Sequence, residues 1–451
     1  MSKPALDTTT PVTRSQSSAK WVLGLLFAAN LLNFYDRALP GVLLVPIKKE
    51  FLLNDTQVGI LASAFVIVAA IAGVPLGRLA DKVARRAVAG WGLMVWSIFT
   101  ALGGLLPNFW PFFATRVGVG IGEASYDPAT GSLIADLYPT ERRARATSLF
   151  MLGFPIGTML AYFTAGALAT TFGTWRAPFL VAAVPGVLIA ILIMRIREPR
   201  RGASDPLAAA PSVKLQSLRQ VFRVRSVYGL ILAFAGYNFA AYAIGTFMTG
   251  ELQTYYHQTL VGAAAITGII IGIGGLIGLI VGGKVLDRAS KASNSRRVLI
   301  AAFCLLVAAP LSFAGLAAPV TMLGQFVLLV GLGYLLGTVY LAAAIPAVSD
   351  VVKPELRASA LGVLYAIGYL IGGAGGPILV GIVSDSVTKA ATGVSATVAS
   401  ANGLQYAMMI LVPIGFLAAA IGMFISARSA KGDRERMLAE EAREAKEAVA
   451  Q

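Results

Sequence analysis

Five ionisable residues sit inside otherwise apolar runs. Asp36 and Arg37 are adjacent in ANLLNFYDRALPGVLL (29–44), and Arg116, Glu123 and Asp127 interrupt RVGVGIGEASYDPATG (116–131). Arg116, Gly120, Glu123 and Asp127 are spaced four, three and four, which at about 100° per residue confines them to a stripe about 60° wide on one helix. A charge facing lipid at the bilayer centre costs at least ~2.5–3.5 kcal/mol. The stripe is therefore expected to face an internal cavity, with Asp36 and Arg37 opposite.

Three carboxylates meet two guanidiniums in this set. A pair that only pinned two helices together would not need the third acid, and an acid without its own cation in a low-dielectric cavity is a group that can load and release a proton. Glu123 and Asp36 are ranked first as proton carriers, ahead of Asp127, which Pro128 is expected to place nearer the outer third. Arg116 reads as a charge switch, since its planar fork suits carboxylate or phosphate and can hold an ionised acid or an anionic headgroup, but not both equally well. Arg37 and Asn33, one turn earlier, belong to the same polar patch. Pro40, one turn later, frees a backbone carbonyl and permits bending.

These residues need a membrane scaffold. Of 451 residues, 57% are hydrophobic and only 13% charged, with a mean hydropathy of +0.75; a soluble domain is about a quarter charged. Apolar runs long enough to span a bilayer fall at about 20–46, 57–80, 87–106, 110–136, 146–170, 176–195, 226–250, 261–284, 297–318, 321–349, 356–384 and 404–427. No cleavable signal is read before the first. One cysteine (Cys304) and one histidine (His257) leave too few ligands for disulfides, zinc or haem. No catalytic constellation, metal site or cofactor is expected.

Charge sets the expected topology. Lys48, Lys49, Arg176 and Lys389 lie in odd-numbered connections and Arg37 and Arg116 inside spans; every other lysine and arginine lies at the termini or in the even-numbered connections. The positive-inside rule then puts both termini on the cytoplasmic side. It also turns the net charge of +15 into a topology signal whose partners are anionic headgroups, not nucleic acid.

The chain repeats itself. IADLYPTERRARATSL (134–149) aligns with VSDVVKPELRASALGV (348–363), pairing Asp136 with Asp350, and GRLADK (77–82) matches GKVLDR (283–288). We therefore expect an all-α membrane protein of twelve helices in two six-helix bundles. A disordered tail (1–19) precedes the first bundle (20–195); a polar linker (196–222), the second bundle (223–427) and a C-terminal helix (428–451) follow. Such repeats place a transporter's site between the halves near mid-membrane.

The loop Gly77-x-x-x-Asp81-Lys82-x-Ala84-Arg85-Arg86 resembles the signature loop of the major facilitator superfamily, with Ala84 where a glycine is usual and a degenerate copy at Gly283, Asp287 and Arg288. Within it, NFYDRALPGVLLVPIKKEF and RVGVGIGEASYDPATGSLIADLYPTERRARA resemble the Spinster family, associated with proton-linked movement of sphingolipids and lysolipids. The Asp-Arg pair with the Arg and Glu seven apart also resembles anion:cation symporters for sugar acids. The resemblance implies a cytoplasmic gate of Gly77, Asp81, Arg85, Arg86, Asp136 and Asp287, with Asp81 near the start of span 11 and Arg85 or Arg86 on Asp136.

In the second half, the positions matching Arg116, Glu123 and Asp127 are Val330, Gly337 and Leu341, none ionisable. That half instead supplies Tyr237, Asn238, Tyr242, Tyr334, Tyr340, Tyr365 and Tyr369, and one acid near the path, Glu251, which can equally mark the water interface. A cavity charged on one wall and aromatic on the other suits an amphipathic substrate. The expected function is proton-coupled, alternating-access transport of a sphingolipid- or lysophospholipid-type molecule across the inner cell membrane by a monomer. The alternative within the same superfamily is a proton symporter of a small organic anion. A passive scramblase or receptor ranks below both, and an intramembrane enzyme lowest.

Overall fold

The computed structural model describes residues 16–199, 220–290, 294–353 and 356–450. Most of the expected linker, most of the N-terminal tail and Glu355 lie outside the described residues. What is described is almost entirely helical. In the first half run α1 (Gln16–Val42), the short α2 (Leu44–Phe51), α3 (Asp55–Lys82), α4 (Arg85–Gly103), α5 (Phe109–Leu137), α6 (Thr140–Met151), α7 (Gly153–Thr171) and α8 (Ala177–Arg195). In the second run α9 (Arg225–Thr254), α10 (Leu260–Gly268), α11 (Gly275–Ser290), α12 (Asn294–Leu316), α13 (Leu323–Val351), α14 (Arg357–Gly368), α15 (Gly375–Ala390) and α16 (Ala396–Ala450). Wider π-type turns, Ile269–Gly274 and Tyr369–Gly373, join α10 to α11 and precede α15.

Among the described residues, ten stretches are long and apolar enough to cross a membrane. At 27 and 29 residues, α1 and α5 have the length but fall outside that set, and they are the helices that carry the five intramembrane charges. Two expected runs take a different form. The fifth breaks at Leu152, so α6, with its four charged residues, precedes the apolar α7. The twelfth continues without interruption into the charged C-terminal segment, making α16 a 55-residue helix.

In the first half α4 packs on α5 and α8, α3 on α5, and α1 on α7; in the second, α9 packs on α16 and α12 on α13 and α16. The halves meet through α3 against α15, α10 against α7, and α9 against α1. Small residues permit these approaches: a Cβ on Gly59 would strike the Pro377 carbonyl, and one on Gly41 the Gly245 carbonyl. Several interhalf hydrogen bonds lie away from the loops richest in arginine and lysine, which we call the basic end. Ser63 Oγ donates to Ala374 O (2.7 Å) and Tyr162 Oη to Gly245 O (3.0 Å).

The repeat seen in the sequence recurs as structure. Arg85 is ion-paired with Asp136 and Arg297 with Asp350, so each half ties the start of its third long helix to the end of its fourth.

Candidate functional site

α1 is fixed in the first half by bonds on several sides. Tyr126 Oη donates to Leu26 O (2.6 Å), Asn30 Nδ2 to Phe150 O (2.8 Å), and Tyr35 Oη shares a hydrogen bond with Thr164 Oγ1 (3.0 Å). These anchors fix the rotation of α1 and aim Asp36 and Arg37 at α4 and α5. Asn33 is buried in the same stretch.

Asp36 is buried, and its Oδ2 accepts from Thr100 Oγ1 on α4 (3.3 Å) while Oδ1 has no hydrogen-bond partner among the described residues. Arg37 Nε donates to Glu123 Oε2 on α5 at 2.7 Å, an ion pair whose carboxylate is fully buried and whose arginine side chain keeps 22% exposure. The other Glu123 oxygen has no hydrogen-bond partner among the described residues. The guanidinium of Arg37 lies over the rings of Phe34 (4.8 Å) and Phe65 (5.6 Å), contacts that stabilise a cation partly withdrawn from water. Arg37 is also within electrostatic reach of Asp127 and of Tyr242 in the second half.

Arg116 does not face a cavity. It is turned into the first half, 4% exposed, with Nη2 donating to Phe99 O (3.4 Å) and its guanidinium over Phe112 (5.4 Å) and Phe179 (5.1 Å). Room for it exists because residue 103 is glycine: a Cβ there would lie 2.6 Å from Nη2. Arg116 stays within electrostatic reach of Asp36 and Glu123 and supports the cluster from behind. The stripe expected from helical spacing is real as an angular relation. However, α4 and α8 cover its Arg116 end, and α3 covers Gly120. The group available to a ligand is Arg37.

Asp127 also departs from expectation. With Pro128 inside it, α5 remains one helix from Phe109 to Leu137. Asp127 therefore lies past its midpoint on the side of the basic loops, not in the outer third, and it is exposed.

The expected aromatic wall divides in two. Tyr242, Tyr365 and Tyr369 form a chain of rings (6.2 and 6.1 Å between centroids) that keeps exposed surface, and Tyr242 stacks on Phe65 of the first half at 6.5 Å. Tyr237, Tyr334 and Tyr340 are buried inside the second half, Tyr237 packing on Tyr340 (5.3 Å), and Asn238 spends its amide on Phe234 O (2.8 Å). These four are packing residues, not lining. Glu251 is 0% exposed with neither oxygen hydrogen-bonded among the described residues, so it marks neither the path nor the water interface.

At the basic end Arg85, 2% exposed, donates to Asp136, to Ser132 Oγ (2.8 Å), to Glu198 Oε1 (3.0 Å) and to Pro199 O (3.0 Å). Arg86 donates from its side chain to Ile196 O (2.8 Å). Glu198 further accepts from the backbone N–H groups of Arg85 and Arg86, capping α4. Burial alone would raise the Glu198 carboxyl. The Arg85 side chain and the two N–H groups outweigh it and hold Glu198 below the usual glutamate range. Nothing in the sequence singles out Glu198, which reads as the first residues of a polar linker. Gly77 packs near Pro128, while Asp81 and Asp287 are exposed in the last turns of α3 and α11.

Comparison with known proteins gives this arrangement its family. The family model for the Major Facilitator Superfamily matches residues 26–377. The chain belongs to that superfamily. Among relatives of this major facilitator protein, an "MFS-type efflux pump" of Mycolicibacterium smegmatis is 31% identical, covering 86% of this chain and 90% of that one. "Protein spinster homolog 1" of Xenopus laevis is 27% identical over 87% of this chain and 78% of its own. A "Probable L-galactonate transporter" of Escherichia coli is 31% identical over 65% of this chain and 68% of its own. Among solved structures, a bacterial homolog to the human lysosomal transporter Spinster, inward-facing and unoccupied, superposes with a TM-score of 0.85 at 26% identity, covering 93% of this chain and 99% of that one. The expected resemblance to the Spinster proteins therefore holds, and the chain is a multi-pass membrane transporter.

Proposed function

We propose that this major facilitator protein moves an amphipathic, anionic lipid-like molecule by alternating access, coupled to a proton. The observation that carries the reading is the Arg37–Glu123 pair at the junction of the halves, set beside surplus carboxylates and facing an aromatic wall. Arg37 is the cation with exposed surface in the cluster, so it is the group an anionic head meets. Tyr242, Tyr365, Tyr369 and Phe65 offer rings to an apolar tail. Three carboxylates against two guanidiniums leave one negative charge, which a single bound proton neutralises. When a headgroup engages Arg37, Glu123 loses its cation in a site with no water contact, and taking up a proton is the way it avoids a buried bare charge. Asp36, whose second oxygen is unpartnered, is the other carrier, and Asp127 is the acid nearest the basic side. Arg116 holds the field of the cluster constant.

The rest of the expected architecture belongs to this proposal: twelve spans, with α1 and α5 included on account of their length; two six-helix bundles joined by a linker near 196–222; the basic end and both termini in the cytoplasm; a monomer in the inner cell membrane. The test is transport in proteoliposomes carrying a pH-sensitive dye. A lysophospholipid gradient should drive proton movement, and Glu123→Gln or Asp36→Asn should abolish the coupling. Proton flux unchanged in both variants would sink the assignment.

The L-galactonate transporter relative supports a second reading, a proton symporter of a small sugar acid using the same Arg37. Binding of sugar acids with no response to lysophospholipids would select it.

A further inference from the structure

The end of the molecule away from the basic loops is closed by an arrangement that the site above does not use. α3 begins there, and the first N–H groups of a helix have no partners within it. Two of its donors are satisfied locally: Asn54 Oδ1 accepts from Gln57 N (2.8 Å) and Gln57 Oε1 from Asn54 N (3.0 Å), a reciprocal capping box. The two between them are satisfied from the other half. Asp385, on α15, accepts from Asp55 N (3.0 Å) on Oδ1, and from Thr56 N (2.9 Å) and Thr56 Oγ1 (2.5 Å) on Oδ2. A carboxylate at a helix N-terminus also gains from the helix dipole.

The first half answers with its own carboxylate. Asp55, 1% exposed, accepts from Ser384 Oγ of α15 (2.7 Å) and from Lys48 Nζ of α2 (2.5 Å), and Lys48 also reaches Ser400 Oγ on α16 (3.4 Å). Backbones close in beside them: a Cβ on Gly381 would strike the Asp55 carbonyl, and one on Gly59 the Pro377 carbonyl. The segment bearing Asp385 is set off from the rest of its span by the π-type turn Tyr369–Gly373, the kind of irregularity that marks hinges and functional sites.

We propose that Asp385 is the latch of the outer gate: by capping α3 from the opposite half it holds that end shut, and opening to that side requires α15 to withdraw it, pivoting at Tyr369–Gly373. The proposal rests on the alternating-access reading. It explains why an aspartate in an otherwise unremarkable helix end carries three hydrogen bonds to the other half. Withdrawal leaves the Asp55 and Thr56 N–H groups to water, so the open state is reachable yet disfavoured.

The experiment measures distances between spin labels placed on exposed Leu52, before α3, and exposed Val394, after α15, in a Cys304→Ser background in nanodiscs. Wild type is compared with Asp385→Ala and Asp385→Asn. Losing even one hydrogen bond to a charged acceptor shifts an equilibrium by about tenfold, so the open-to-closed ratio should rise at least that much in Asp385→Ala and by less in Asp385→Asn. Monodisperse elution and unchanged helicity exclude unfolding as the cause. An open population appearing in Asp385→Ala supports the latch even where wild type stays closed. Wild type populating both distances with proportions unchanged in both variants overturns the latch and leaves alternating access standing. A single short distance in all three proteins overturns the latch and counts against alternating access at this end.

Discussion

Replacing Arg37 with methionine removes the cation from a carboxylate that has no exposure at all, whereas replacing Glu123 with glutamine leaves an arginine that is 22% exposed, rests on two phenyl rings and still senses Asp127. The two losses should therefore be unequal. Stranding a buried charge costs ~3–5 kcal/mol. Leaving a partly solvated arginine without its acceptor costs ~1–3 kcal/mol. The double variant strands neither charge and needs to bury only an amide. Its loss should fall short of the sum of the singles by ~2 kcal/mol or more, a coupling typical of contacting residues. Unfolding of the four proteins in mixed micelles, followed by tryptophan fluorescence, reads this directly. Additivity within ~0.5 kcal/mol, or Glu123→Gln costing more than Arg37→Met, would refute the claim that burial of the carboxylate decides the energetics of the pair.

Gly103→Ala should destabilise by ~1–3 kcal/mol through overpacking against Arg116, while Gly24→Ala, with nothing within 4 Å of its new methyl, should be neutral or mildly stabilising; equal thermal midpoints would contradict the placement of Arg116. Arg85→Ala should lower the midpoint more than Arg297→Ala, because Arg85 holds two carboxylates while Arg297 pairs with Asp350; the reverse order would be inconsistent with these contacts. Glu198 is held below the ordinary glutamate value of 4.5, so its contribution is present above that value and is lost as pH falls through the lower folded value. The stability gap between wild type and Glu198→Gln should be flat from pH 8 to 5 and close below about 4.5; a gap that closes near neutrality would exclude that sign.

Much of this architecture is legible in the chain because a bilayer leaves little choice. Long apolar runs mark the helices, and the offset that aligns Asp136 with Asp350 in the sequence reappears as the Arg85–Asp136 and Arg297–Asp350 pairs. The charges that lower the hydropathy of α1 and α5 are the same ones that meet at Arg37 and Glu123. Helical spacing fails where tertiary packing decides which part of a stripe stays uncovered. It groups Arg116 with Glu123 by angle and does not reveal that Gly103 opens a pocket for the guanidinium. It likewise treats six tyrosines and one asparagine alike, although Tyr237, Asn238, Tyr334 and Tyr340 are buried. Asp385 and Glu198 are invisible for a related reason. Each is a single acid near a helix end, and its meaning comes from N–H groups about 330 and 112 residues away in the chain.

The five intramembrane charges near the junction all belong to one half, on two neighbouring helices, and the facing half has none at the matching positions. On the proposed alternating-access cycle, rocking the halves would therefore carry them as one body through the membrane voltage. That body bears one net negative charge when its acids are all ionised and none when a single proton is bound. A unit charge crossing the full potential exchanges ~2.3 kcal/mol per 100 mV. On the proposed proton-coupled cycle, voltage would then act on the return of the empty, deprotonated carrier, while on the loaded, protonated stroke it would act on the charge of the anionic substrate alone.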